Sequence, residues 1–272
     1  MNQHELLDSI GGRTLNSVMK DDVPGFLFEN CFRDRSITVI VAPAHSGKTL
    51  LMLDMAICLD MEIPLFGQFK PMRGRQVFFI GADAPSWDYG LQSRKLCIGH
   101  GIDLAHRELL DLPGIWRSGV KITDLQFLRW LDQWKNTAQA DVLFIDSHRA
   151  THTGDENLSN EMSQVWNILK GMRDNGWCII MSHHAGHTRQ LLGQDIHAGR
   201  GSTVIGDAAD FVYNLSKRNR RDPRVKITCA KARGGGPEVD PFDYFDIVPV
   251  ESKETVNGQP LKGIKLISGV LP

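Results

Sequence analysis

An α/β fold, with a mostly parallel twisted sheet, helices on both faces and a C-terminal antiparallel edge, is predicted by three features of this sequence. From Ile37 onward, apolar β-rich runs alternate with helical segments. Several runs end in polar residues suited to chemistry, as an open parallel sheet presents them at the carboxyl ends of its strands. One run passes through a short loop ending in Gly47-Lys48-Thr49 directly into a helix.

Residues 1–35 read as a short polar helix and a loop, with Pro24-Gly25-Phe26-Leu27-Phe28 as an apolar clip. So few residues cannot bury a core of their own. The arm is therefore expected to pack on the main core or on a neighbouring subunit. Residues 36–272 are expected to form one domain, near the upper size of a single hydrophobic core. Its strands are expected at 37–41, 76–81, 142–146, 178–183, 211–216 and 225–231, and its helices at 49–59, 89–98, 122–135 and 160–174. The tail from 243 to 272 reads as a hairpin at a sheet edge.

Composition narrows the function classes. The net charge is −1, so no global basic field advertises nucleic acid, and any DNA-binding surface must be local. The five cysteines, Cys31, Cys58, Cys97, Cys178 and Cys229, are scattered without a C-x-x-C pair. They are expected to be reduced, buried thiols rather than a disulfide frame or a zinc site. The N-terminus lacks a basic-then-apolar leader, and no run of about 18 apolar residues occurs. The expectation is a cytoplasmic protein with no membrane partner.

The segment Ala42-Pro43-Ala44-His45-Ser46-Gly47-Lys48-Thr49-Leu50 has the layout of a P-loop, or Walker A motif. In such a loop, backbone N–H groups and a helix N-terminus cradle phosphates. Lys48 would reach the β- and γ-phosphates of ATP, and the Thr49 hydroxyl would hold Mg²⁺. Ala42 stands where the usual pattern has its first glycine.

Asp141-Val-Leu-Phe-Ile-Asp146 is an apolar strand ending in an acid. Asp146 is expected to hold Mg²⁺ beside Thr49. Val77-Phe-Phe-Ile-Gly-Ala-Asp83 is a second such strand. Asp83 could orient the water that attacks the γ-phosphate, or could simply cap the next helix. Cys178-Ile-Ile-Met-Ser-His183-His184 ends in paired histidines, of which strand alternation allows one to face the site. That residue would sense the γ-phosphate; the alternative is a satisfied core histidine. Lys231-Ala-Arg233, followed by three glycines, suits reaching a phosphate across an interface, because an Arg fork stays charged and binds oxyanions bidentately. A solvated basic turn is the other reading.

Together these residues resemble the RecA/DnaB-type P-loop ATPase superfamily, and most closely the branch of the replicative helicase RepA. The resemblance rests on the P-loop, Ala82-Asp83, Asp146-Ser-His-Arg-Ala, Ser182-His-His184 and Arg200-Gly-Ser-Thr-Val-Ile-Gly-Asp-Ala-Ala-Asp210. It implies a RecA-like core and ATP bound between neighbours of a hexameric ring. It implies Lys48, Thr49 and Asp146 for phosphate and magnesium, Asp83 at the catalytic Glu position, and His184 as γ-phosphate sensor. The RepA-type arginine finger aligns near Asp210, which cannot perform that work. The expected trans-acting cations are therefore Lys231 and Arg233, with Arg200 as the fallback. The resemblance also implies single-stranded DNA tracked by loops at 148–157 and 187–197. Neither loop carries Tyr, Phe or Trp, so base stacking is not expected there.

The function expected is a ring-forming, ATP-hydrolysing DNA helicase acting in replication of a plasmid, phage or mobile element. A recombination or repair ATPase that does not unwind DNA stays open. So does an ATP-switched oligomeric regulator, for which the shortened Asp83 and the neutral charge leave room.

Overall fold

The computed structural model of the chain describes residues 5, 9–72, 74, 76–105, 112–153, 159–185, 204–219, 221–234 and 242–270. A short helix, α1 (Leu15–Val18), precedes a hairpin of β1 (Phe26–Phe28) and β2 (Cys31–Arg33). Then come β3 (Ile37–Ala42), α2 (Lys48–Asp60), β4 (Gln76–Gly81), α3 (Ser86–His100), β5 (Gly114–Ile115), α4 (Leu125–Ala138) and β6 (Ala140–Asp146). After a 3₁₀ turn at His148–Thr151 follow α5 (Ser159–Asp174), β7 (Cys178–His184), α6 (Val204–Ala208) and β8 (Phe211–Ser216). The chain closes with β9 (Arg224–Ala232), β10 (Tyr244–Val250), β11 (Thr255–Val256), β12 (Gln259–Pro260) and β13 (Gly263–Gly269).

Among the described residues, nine strands form one sheet in the order β13-β10-β9-β8-β3-β7-β6-β4-β5. Strands β8, β3, β7, β6, β4 and β5 run parallel, and β9, β10 and β13 add an antiparallel edge. The parallel strands are near-continuous apolar runs because both sheet faces are covered. Alternation then divides each run between two cores. Ile37, Val39 and Val41 face one with Leu143, Ile145, Ile179 and Met181; Ile40, Phe79, Phe144 and Ile180 face the other.

Helix α2 is buried over nearly its whole length in the second of these cores, because its apolar residues occur all the way round. α3 joins it there through Tyr89, Leu96 and Cys97, whereas α5 covers the opposite face with Met162, Trp166 and Leu169. The apolar clip forms a hairpin that sequence periodicity did not show. Leu27, Phe28, Cys31 and Phe32 are fully buried in the same core as α2.

One expectation about strand direction needs revision. The sequence reading counted the strand at 225–231 with the mostly parallel sheet and placed the antiparallel edge in the tail from 243. β9 instead runs antiparallel to β8, pairing Phe211 with Ala232 and Ser216 with Lys226. The connection at 217–223 is too short for a crossover, which needs a dozen or more residues. Reversal was the remaining solution.

Candidate active site

The carboxyl ends of β3, β4, β6 and β7 lie together at one end of the sheet's parallel strands. Ala42 pairs with His184 and Gly81 with Asp146, so the polar residues after these strands are brought together by register alone. From β3 the chain runs through Pro43–Ser46 to Gly47, whose φ of 89° places it in the left-handed region. No side chain caps α2 at Gly47, and the first N–H groups of the helix face the loop. Those donors and the helix dipole favour an anion. Ala44, His45, Ser46, Gly47, Lys48, Thr49 and Leu50 line a cavity of about 410 Å³ with Asp83, Asp88, Gln92 and His184.

Lys48 Nζ donates to the carbonyls of Ala42 (2.9 Å) and Pro43 (3.0 Å), folding back along the loop. Burial pushes its pKa down to about 8, against the pull of Asp146 and Asp83. The carboxylate of Asp146, 1% exposed, accepts from Thr49 Oγ1 (2.8 Å), Tyr89 Oη (3.1 Å) and Ser182 Oγ. Burial raises its pKa, opposed by the Ser182 and Thr49 hydroxyls. This donor set fits a magnesium ion: the hard oxygens of Thr49 and Asp146 adjoin the phosphate cradle, and the buried carboxylate has only neutral hydroxyls to compensate it directly.

Asp83 stands across the cavity. Its carboxylate accepts from Ser147 Oγ (3.1 Å) and lies 3.6 Å from His184 Nε2. The His184 imidazole first, and then Ser147 and Lys48, hold it below the ordinary carboxylate range against partial burial. Asp83 is therefore ionised at neutral pH. Its backbone N–H donates to Tyr89 Oη (3.2 Å), and the N-cap of α3 is Pro85, with no side-chain cap, so no capping role absorbs the carboxylate. His184 faces the cavity, while its neighbour His183 is buried, 5.6 Å from the ring of His148.

Lys231 and Arg233 are not in this group. β9 carries them to the amino ends of β3 and β8, where Val212 pairs with Lys231 and Thr38 with Phe211. Lys231 Nζ donates to the carbonyls of Gly206 (2.9 Å) and Asp207 (2.7 Å). Arg233 Nε lies 3.4 Å from Asp210, which also receives Arg173 (3.1 Å) and the Ile37 N–H (2.9 Å). The length of β3 separates this cationic corner from the P-loop of the same chain, about 16 Å or more at the strand rise. Arg200 and the loop at 187–197 lie outside the described residues, as does the 148–157 loop beyond 153.

Sequence reasoning missed Tyr89, Ser147 and Ser182 as site residues, although each touches Asp146 or Asp83. Ser182 and Ser147 adjoin singled-out motifs, so adjacency could have found them. Tyr89 carried no signal, since its reach to Asp146 depends on how α3 packs. A second cavity, of about 860 Å³, is lined by Lys217, Arg224, Tyr244 and Ile247 among others. It adjoins the P-loop: a Cβ on Gly47 would lie 3.7 Å from Ile247 Cδ1.

A glycine-cornered loop feeding a helix, with a buried acid two strands away across a mostly parallel sheet, is the arrangement of a P-loop ATPase on a RecA-like α/β fold. The AAA domain family matches residues 20–190, and the chain belongs to that family. The solved structure of another protein's ATPase domain superposes with a TM-score of 0.54 over 86% of this chain and 92% of that one, at 14% identity. That likeness concerns the fold. No described helix is long and apolar enough to cross a membrane.

Proposed function

We propose that this protein is an ATP-hydrolysing motor of the RepA-like type, working as a homo-oligomeric ring, hexameric, on single-stranded DNA. Its setting would be the cytoplasm, in replication of a plasmid, phage or mobile element. The observation that carries the reading is the separation of one complete half-site from a second. Lys48, Thr49, Asp146, Asp83 and His184 share the carboxyl end of the parallel strands, and Lys231 and Arg233 stand at their amino end. Two cations so far from their own P-loop suit the P-loop of a neighbouring copy.

In this reading the loop amides and Lys48 bind the triphosphate, and Thr49 and Asp146 hold Mg²⁺. The ion, when bound, neutralises charge on the phosphates. Ionised Asp83 orients water towards the γ-phosphate, and His184, already beside Asp83, reports the loss of that phosphate. Arg233 would leave Asp210 to engage the neighbour's nucleotide, with Lys231 beside it. The larger cavity suits the nucleoside end, because Arg224 already lies 4.0 Å over the Tyr244 ring and so offers a flat, charged face. Residues 1–35 would serve as the arm of a core spanning 36–272, with its Phe26–Phe28 hairpin anchored on that core.

Steady-state ATP hydrolysis with and without single-stranded DNA tests the proposal, followed by strand displacement from a forked duplex. DNA-stimulated turnover that Lys48→Ala abolishes is the expected result. Turnover indifferent to DNA would replace the helicase with an ATP-switched regulator. That second reading draws on the short reach of Asp83 and its engagement by Ser147 and His184, both of which favour slow hydrolysis.

A further inference from the structure

One buried polar group in the core lies outside the nucleotide site and is not explained by it. Asp54 sits on α2, fully buried, about 9 Å along the helix axis from Lys48. One of its oxygens, Oδ1, lies 2.6 Å from His100 Nε2 at the end of α3. The other, Oδ2, is buried with no hydrogen-bond partner. Leaving a buried carboxylate oxygen without a partner is unfavourable, so its persistence calls for a ligand. Cys58, one turn along α2 from Asp54, brings its Sγ to 3.8 Å from His100 Nε2. One ligand atom from each of the three residues falls within 4.8 Å of the other two.

We propose that Asp54, Cys58 and His100 form a metal site for Zn²⁺, independent of the ATPase reading. The chemistry of the set is one thiolate, one imidazole and one carboxylate, the mixture zinc accepts in tetrahedral sites. Zn–S near 2.3 Å and Zn–N near 2.0–2.1 Å at tetrahedral angles put S and N about 3.6 Å apart, close to the 3.8 Å found, whereas Oδ1 and Nε2, in direct contact at 2.6 Å, have to part to about 3.3 Å to admit the ion. Water or the second Asp54 oxygen would complete the coordination of these three residues. The metal takes the place of the proton on the Cys58 thiol, which is released to solvent on binding. Oδ2 gains the partner it lacks.

The placement assigns the ion a structural task. α2 leaves the P-loop and α3 follows Asp83, so a metal joining Asp54 and Cys58 to His100 clips together the helices behind both catalytic strand ends. Gly99, beside His100, packs directly on the backbone of Ile264 in β13, which ties the same point to the sheet edge. The spacing Asp-x₃-Cys with Cys-x₂-His was legible in the sequence; that the two pairs meet was not.

The test is metal analysis of the full-length protein, purified without a metal-affinity tag and without chelator, by mass spectrometry. One zinc per chain is expected, retained through gel filtration and reduced to background in Cys58→Ser and in His100→Asn. Removing the zinc should lower Tm, and adding zinc alone should restore it. Should either variant fail to fold, Co²⁺ added to the metal-depleted wild-type protein decides, because thiolate ligation gives an intense near-ultraviolet charge-transfer band. Wild-type protein that holds no stoichiometric zinc, gives no such band with Co²⁺ and shows no Tm shift with added Zn²⁺ overturns the proposal. The cluster is then a buried Asp–His pair.

Discussion

Lys48 begins to lose its charge in the free protein as pH approaches 8, because burial brings its pKa down to about 8, while triphosphate binding needs the ammonium form. Binding of a nucleotide should raise that pKa again, so affinity should be flat below pH 8 and fall about tenfold per pH unit above it. Titration of a fluorescent ATP analogue between pH 7 and 9.5 measures this, and Lys48→Arg, which cannot lose its proton there, should flatten the profile. Lys48→Ala should lower kcat by ~10²–10³-fold, the scale of removing one charge-stabilising donor. His148 gives a second pH effect. It is fully buried beside His152 and His183, and burial first, then His183, His152 and Arg149, hold its pKa well below the ordinary 6.5. Below pH 6.5 the unfolded chain binds a proton that the folded imidazole refuses. Stability should therefore fall as pH drops, by about 1.4 kcal/mol per unit from this group, measurable by urea unfolding at pH 5.0 to 7.5. At this scale the sequence was readable for groups beside a motif, namely Lys48, Thr49, Asp146, Asp83 and His184. It was unreadable for Tyr89 and His148, whose environments are made by residues distant in the chain.

Element packing rests on close backbone approach as much as on apolar area. α3 meets β13 at Gly99, where an added Cβ would collide with the Ile264 carbonyl, and at Gly263, where it would collide with the Ile98 side chain. Gly99→Ala should force these elements apart and cost about 3 kcal/mol, read as a lowered urea midpoint with unchanged m-value. Gly90→Ala, on the same helix with open space around it, should be neutral or slightly stabilising. The expected strands and helices fall within a few residues of those found, because apolar runs covered on both faces and an all-round apolar α2 announce themselves. The β1–β2 hairpin and the two-residue β5 did not, since runs of two or three residues carry no period to detect. The reversal of β9 was encoded in the length of 217–223, which leaves no room for a crossover.

Across the whole molecule, the distribution of charge between the two ends of the parallel strands makes the chain an incomplete enzyme in the proposed reading. Arg233→Ala should leave ATP binding to the isolated chain unchanged and lower turnover of the assembled protein by about 10³-fold. Mixing it with Lys48→Ala should restore part of the activity, because some interfaces then pair an intact P-loop with an intact Arg233; analytical ultracentrifugation alongside the assay ties the rescue to assembly. No rescue and undiminished single-mutant turnover would remove the trans role. Asp210 belongs to the same scale: it joins Ile37, Arg173 and Arg233, so Asp210→Asn should loosen Arg233 while weakening the start of β3. By itself the sequence determined the α/β class, the P-loop and the acids at strand ends, because each is a local pattern of apolar period, glycine conformation and adjacent charge. Tertiary structure alone decided which strand ends lie together, that β9 points the other way, and that Asp54, Cys58 and His100 meet. Those outcomes depend on strand order and helix packing, which bring together residues tens of positions apart and leave no periodic trace along the chain.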